Sequence, residues 1–80
     1  MVIKSSETTP LTLYLLAEVI QEAGLPAGVV NIVSGAGLTG SHIVNHPDVN
    51  KIAFTGSTAV GKIIMKAIVG TSKKSTMELG

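Results

Sequence analysis

Apolar residues recur along the chain in short runs whose period changes from segment to segment, and each change of period marks a change of element. "MVIK" at residues 1–4 is β-prone. The polar "SSETTP" after it ends on a helix start, with Thr9 placed to cap and Pro10 at the first helical position, where its missing N–H costs nothing. The spacing predicts a helix over 10–23 with Leu15, Leu16, Val19, Ile20 and Ala23 on one face, Glu18 and Gln21 on the other, and Thr12 as a polar interruption in the first turn. Gly24 supplies its left-handed cap. "LPAG" turns the chain into the β-branched run "VVNIV", a strand over 29–33 bounded by Gly28 and Gly35. Residues 38–46 form a short helix stopped by Pro47, and "KIAFT" predicts a strand near 51–54. A helix over 57–69 follows, capped by Ser57 or Thr58, with Val60, Ile63, Ile64, Ala67 and Ile68 facing one side and Gly70 closing it. "KKSTMEL" supplies a last strand.

Strands alternating with helices in the order β-α-β-α-β-α-β imply crossover connections, hence a parallel sheet in a three-layer α/β arrangement. The composition changes the picture by its apolarity. Of 80 residues 45% are hydrophobic and 14% charged, and the mean hydropathy is +0.49, so polar side chains are too few to cover a small isolated sphere. The chain reads as a piece of something larger. A net charge of +1, with no basic run longer than Lys73-Lys74 and a single Tyr and Phe, gives neither the electrostatic footprint nor the stacking platforms of a nucleic-acid binder. Without cysteine the chain has no disulfide, thiolate ligand or sulfur nucleophile of its own. No apolar run approaches a membrane span, and no basic-then-apolar signal opens the sequence, so a cytoplasmic chain without a membrane partner is expected.

Two glycine turns carry the candidate chemistry. In "SGAGLTGS", Gly35, Gly37 and Gly40 fit the spacing G-x-G-x-x-G after a strand, where backbone can approach a pyrophosphate at a helix N-terminus. The acidic residue that this fingerprint wants about 20 positions later is missing from "FTGSTAV", which leaves a plain strand-to-helix turn as the competing reading. In "FTGSTAVGK", Gly56 follows a strand while Ser57 and Thr58 open a helix, as phosphate donors or as an ordinary cap. Ile63 stands where a Walker loop needs Ser or Thr, which disfavours ATP binding in that mode. His42 and His46 are four apart, but apart from Asp48 no further ligand is suitably placed, so no metal is expected. Lys73 and Lys74 read as a solvated turn, and Met65, Met77, Tyr14 and Phe54 as packing.

Taken together, "KSSETTPLT", "EAGLPAGVVNIVSGAG", "HPDVNKIAFTGSTAVGK" and "TMELG" resemble, in order and almost end to end, the cofactor-binding segment of the NAD(P)-dependent aldehyde dehydrogenases. The resemblance implies a Rossmann-like fragment of that fold. Residues 1–80 would be a partial NAD(P)-binding domain, without the segments that carry the catalytic cysteine and the oligomerisation strands. In that family the adenosine lies in a crevice between two helices. By motif match Lys4 and Glu7 would hydrogen-bond its ribose, and a carboxylate at Glu7 suits NAD better than NADP, whose 2′-phosphate would meet like charge. Gly37 and Leu38 match positions touching the adenine, with Leu38 departing from a proline frequent there. Gly56 and Ser57 match the pyrophosphate-binding "GST", and Val60 matches an apolar contact to the adenine ring. Glu78 in "MELG" matches the general-base glutamate that activates water for thioester hydrolysis, and Leu79, next to it, belongs with the cofactor positions.

The implied reaction is oxidation of an aldehyde to a carboxylate: cysteine attack, hydride transfer to NAD(P), then hydrolysis assisted by Glu78. The partner is a small-molecule aldehyde, and the full-length enzyme would be a homo-oligomer. Without a thiol the isolated chain is expected to catalyse nothing. A cofactor-binding-only module and an inactive truncated product are the competing readings.

Overall fold

A computed structural model describes residues 1–80 as β1 (Val2–Lys4), α1 (Leu11–Glu22), β2 (Asn31–Val33), α2 (Gly37–Asn45), β3 (Lys51–Gly56), α3 (Thr58–Ile68) and β4 (Lys74–Leu79). The alternation read from the periodicity is present, and every strand pairing is parallel. Instead of one continuous sheet there are two two-stranded sheets, β1 with β2 and β3 with β4, so each strand pairs with the strand one crossover helix away. Two β-α-β units result, matching a division of the chain into Met1–Gly40 and Ser41–Gly80.

In the first unit Val2, Ile3 and Lys4 register with Asn31, Ile32 and Val33. β2 is shorter than the β-branched run because Gly28, at φ +84°, leads Val29 into a turn whose N–H reaches the Pro26 oxygen at 3.4 Å. Thr9 is not the cap of α1. Pro10 is already helical, at φ −77° and ψ −23°, and its carbonyl accepts from the Leu13 and Tyr14 N–H groups at 3.2 and 3.4 Å with no side-chain cap. Thr9 instead turns back, its N–H on the Ser6 oxygen at 3.2 Å. Gly24 closes the helix as expected, at φ +77°. The covered face of α1 is Leu13, Ala17 and Ile20, rotated from the expected stripe, while Leu15 and Val19 are 62% and 60% exposed. With apolar side chains on most of its circumference, the helix has only this narrow strip covered, and no residue of this unit is fully buried.

The second unit contains the core: Val44, Ile52, Ile64 and Ile68, with Val49, Phe54 and Met77 half-covered against them. Ser57, not Thr58, caps α3, its Oγ accepting from the Val60 N–H at 3.2 Å. Of the expected face, Ile64 and Ile68 do turn inward, in line with Gly61, while Val60, Ile63 and Ala67 are exposed. Gly61 decides the rotation. A Cβ there would come within 2.5 Å of a Leu79 methyl, so the side-chain-free position is the one that can meet β4. Gly70 closes the helix at φ +80°. Lys73 is not part of a solvated turn: half-buried, it donates from Nζ to the main-chain oxygens of His46 and Val49, a cation on carbonyls of the turn that follows α2. Met77 and Phe54 pack as expected, while Met65 and Tyr14 are 48% and 50% exposed. No helix is long and apolar enough to cross a membrane.

Candidate functional site

Parallel strands bring their carboxyl ends to one edge, which is where open α/β sheets take ligands. In the second unit that edge carries Gly56 and Ser57 at the end of β3, with Glu78 and Leu79 at the end of β4, registered as Thr55 with Glu78 and Gly56 with Leu79. Alternation along β4 turns Met77 and Leu79 toward α3 and Glu78 to the opposite face, beside Thr55. Glu78 is exposed and its carboxylate takes no hydrogen bond. Gly56 is close-packed, since a Cβ there would lie 2.6 Å from the Phe54 ring.

α3 begins directly after this edge. Its first intrahelical bond is the Gly61 N–H on the Ser57 oxygen at 3.0 Å, and the Val60 N–H is taken by the Ser57 hydroxyl oxygen, so the Thr58 and Ala59 N–H groups remain ahead of the ladder. As acceptor to Val60, the Ser57 hydroxyl still has its own proton to donate to an anion. Val60, 43% exposed in the same turn, offers an apolar surface beside these donors. A phosphate group fits this end of the helix chemically.

In the first unit Lys4 ends β1 and Glu7 lies in the turn after it. Lys4 Nζ donates to the Ser5 oxygen at 2.9 Å and keeps further N–H groups available, while its stem passes Gly40, where a Cβ would meet Lys4 Cδ at 3.8 Å. Glu7 is exposed with its carboxylate unengaged. Gly37 and Leu38 open α2 beyond the end of β2, Gly37 with open space where a side chain would stand and Leu38 73% exposed. Lys4 therefore stands at the carboxyl end of β1 and Glu7 just after it, while Gly37 and Leu38 follow the carboxyl end of β2. Gly35 has a steric role: a Cβ there would fall 2.0 Å from the Thr39 hydroxyl, so the turn closes onto α2 only without one.

Reading by residue type took Thr58 as a cap or phosphate donor and Lys73 as part of a solvated turn, and foresaw neither contact they make. Thr58 Oγ1 donates to the Gly80 oxygen at 2.9 Å, a long-range contact with no signature in local spacing. His46 uses Nδ1 to accept the Asp48 N–H at 3.1 Å, a turn contact, and no group of three His, Cys, Asp or Glu is placed to hold a metal.

The profile described as the Aldehyde dehydrogenase family matches residues 1–80. Human retinaldehyde dehydrogenase 3 is 55% identical over 82 residues, covering 100% of this chain and 16% of that protein. Among solved structures, an aldehyde dehydrogenase from Bartonella henselae superposes with a TM-score of 0.95 at 48% identity, over 100% of this chain and 17% of that one. PnpE in complex with nicotinamide adenine dinucleotide superposes at 0.91 with 49% identity, over 99% of this chain and 16% of that one. The chain thus spans about 16% of the length of most of the curated relatives it matches.

Proposed function

The chain belongs to the aldehyde dehydrogenase family, and from that premise we propose that it carries the adenosine- and pyrophosphate-binding residues and the general-base glutamate of an oxidoreductase converting an aldehyde to a carboxylate with NAD(P). The observation that supports this most is Ser57 capping a helix with first-turn donors free while Glu78 stands on the adjacent strand. In this reading Lys4 and Glu7 take the ribose hydroxyls. Gly37, Leu38 and Val60 give the adenine its apolar walls, and Ser57, at the turn made by Gly56, donates to the pyrophosphate. Leu79 holds the end of β4 against α3. The cofactor supplies the two-electron acceptor when bound.

Glu78 serves the hydrolytic half-reaction. Its carboxylate takes a proton from a water as the water oxygen bonds to the acyl carbon of a thioester, and the sulfur leaves as thiolate. The sulfur comes from outside these residues, which include no cysteine. Exposure suits Glu78 to this task, because a base must reach water.

Glu7 supplies the test. Replacing Glu7 with Gln removes a charged acceptor for the ribose and relieves repulsion toward a 2′-phosphate, so the ratio of NAD to NADP affinity should fall about fivefold or more. Titration with both nucleotides measures it. An unchanged ratio overturns the ribose assignment.

A further inference from the structure

Both main-chain polar groups of the residue two places after Glu78 are held by the turn that opens α3. The Gly80 N–H donates to the Gly56 oxygen at 3.1 Å, continuing the ladder, and the Gly80 oxygen accepts from Thr58 Oγ1 at 2.9 Å. Between them Leu79 seats over Gly61, where any side chain would collide with it, at 2.5 and 3.0 Å from its two methyls. The end of β4 is therefore fastened to the end of β3 through Gly56 and to the first turn of α3 through Thr58 and Gly61, and Ser57 caps that same turn.

We propose that Thr58 is a positioning residue, whose hydroxyl, with the close approach allowed by Gly61, fixes the Glu78 carboxylate in register with the Ser57 end of α3. This rests on the general-base reading of Glu78. Thr58 is exposed and is not one of the core residues, so its bond contributes little to holding the unit together. Thr55 and Glu78 project from the opposite face of the sheet, and their direction depends on the strand end beneath them. A strand end free to fray would let the carboxylate wander by more than the tolerance of a proton transfer, which needs hydrogen-bond reach. The same bond links the two matched functions, because movement of the first turn of α3 moves the main chain next to Glu78.

The test uses the full-length enzyme with Thr58→Val, Thr58→Ser, Gly61→Ala and Glu78→Gln. Thr58→Val should slow steady-state turnover by about fivefold to tenfold, the equivalent of one lost hydrogen bond, while the first-turnover burst of reduced cofactor keeps its amplitude. Thr58→Ser, which keeps the hydroxyl, should restore turnover. Hydrogen exchange of the peptide spanning Met77–Gly80 should quicken in Thr58→Val and Gly61→Ala and not in Thr58→Ser. Glu78→Gln separates the two failures. If it leaves hydrolysis unchanged, the general-base reading falls and this proposal with it. If it slows hydrolysis while Thr58→Val does not, or if Thr58→Val abolishes burst and turnover together without rescue by Ser, the positioning role alone is overturned.

Discussion

Truncating Ile64 to Ala should cost far more than the same truncation one residue earlier, at Ile63. Ile64 is 8% exposed among Val44, Ile52 and Ile68, so the change removes roughly three methylene-sized groups from cover at about 0.8 kcal/mol each. The remaining cavity adds to that, but the core is only four residues wide and its margin, Val49, Phe54 and Met77, can move in. The expected loss is therefore about 2–3 kcal/mol, the lower part of the range for such truncations. Ile63 is 67% exposed, so only a third of its transfer term is at stake, and the better helix propensity of Ala returns about 0.4 kcal/mol of it. That variant should lie within about 0.5 kcal/mol of the parent. Urea titration followed by helical circular dichroism reads both. With a slope near 1 kcal/mol/M, Ile64→Ala should move the midpoint down by about 2 M and Ile63→Ala hardly at all. Equal shifts would mean that α3 presents the Val60, Ile63 and Ala67 line to the strands and that Gly61 does not set its rotation.

Further outcomes follow from single contacts. Ser57→Ala should destabilise α3 by about 1 kcal/mol through its lost cap, measurable in the same titration, with Ser57→Asn keeping most of it. Lys73→Met keeps the stem but removes the cation from the His46 and Val49 oxygens, and should cost about 1–2 kcal/mol and quicken amide exchange over His46–Val49. Gly35→Ala should cost about 1–3 kcal/mol, because its methyl falls on the Thr39 side chain, whereas Gly37→Ala meets open space and should be near neutral for stability. The 80-residue chain should give no rise in reduced-cofactor absorbance with a panel of aldehydes, and thiol-free turnover would contradict the role given to a sulfur nucleophile.

Periodicity and turn chemistry made the order of elements legible. Gly24, Pro47 and Gly70 end helices where expected because each acts locally, through a positive φ or a missing N–H. Helix rotation was not legible, since α1 and α3 are apolar over wide arcs and only tertiary detail, such as Leu79 over Gly61, selects one line. Thr9 and Ser57 looked alike as caps, yet Pro10 adopts helical angles and carries the first carbonyl acceptor itself, which leaves Thr9 outside. The pairing of strands into two sheets was beyond a reading of local runs, because parallel registers join residues about 23 to 29 positions apart. The candidate positions rest on the motif match, while the bridge from Thr58 to Gly80 exists only between elements distant in sequence.

Nucleotide binding by the matched residues is the proposal on which the rest depends. Titrating the isotope-labelled chain with NAD and following amide shifts tests it most directly. Perturbations are expected at Lys4, Glu7, Gly37, Leu38, Ser57 and Val60, with weak affinity because the chain offers only adenosine and pyrophosphate contacts. Shifts centred on His42 and His46, with those six residues silent, would contradict it.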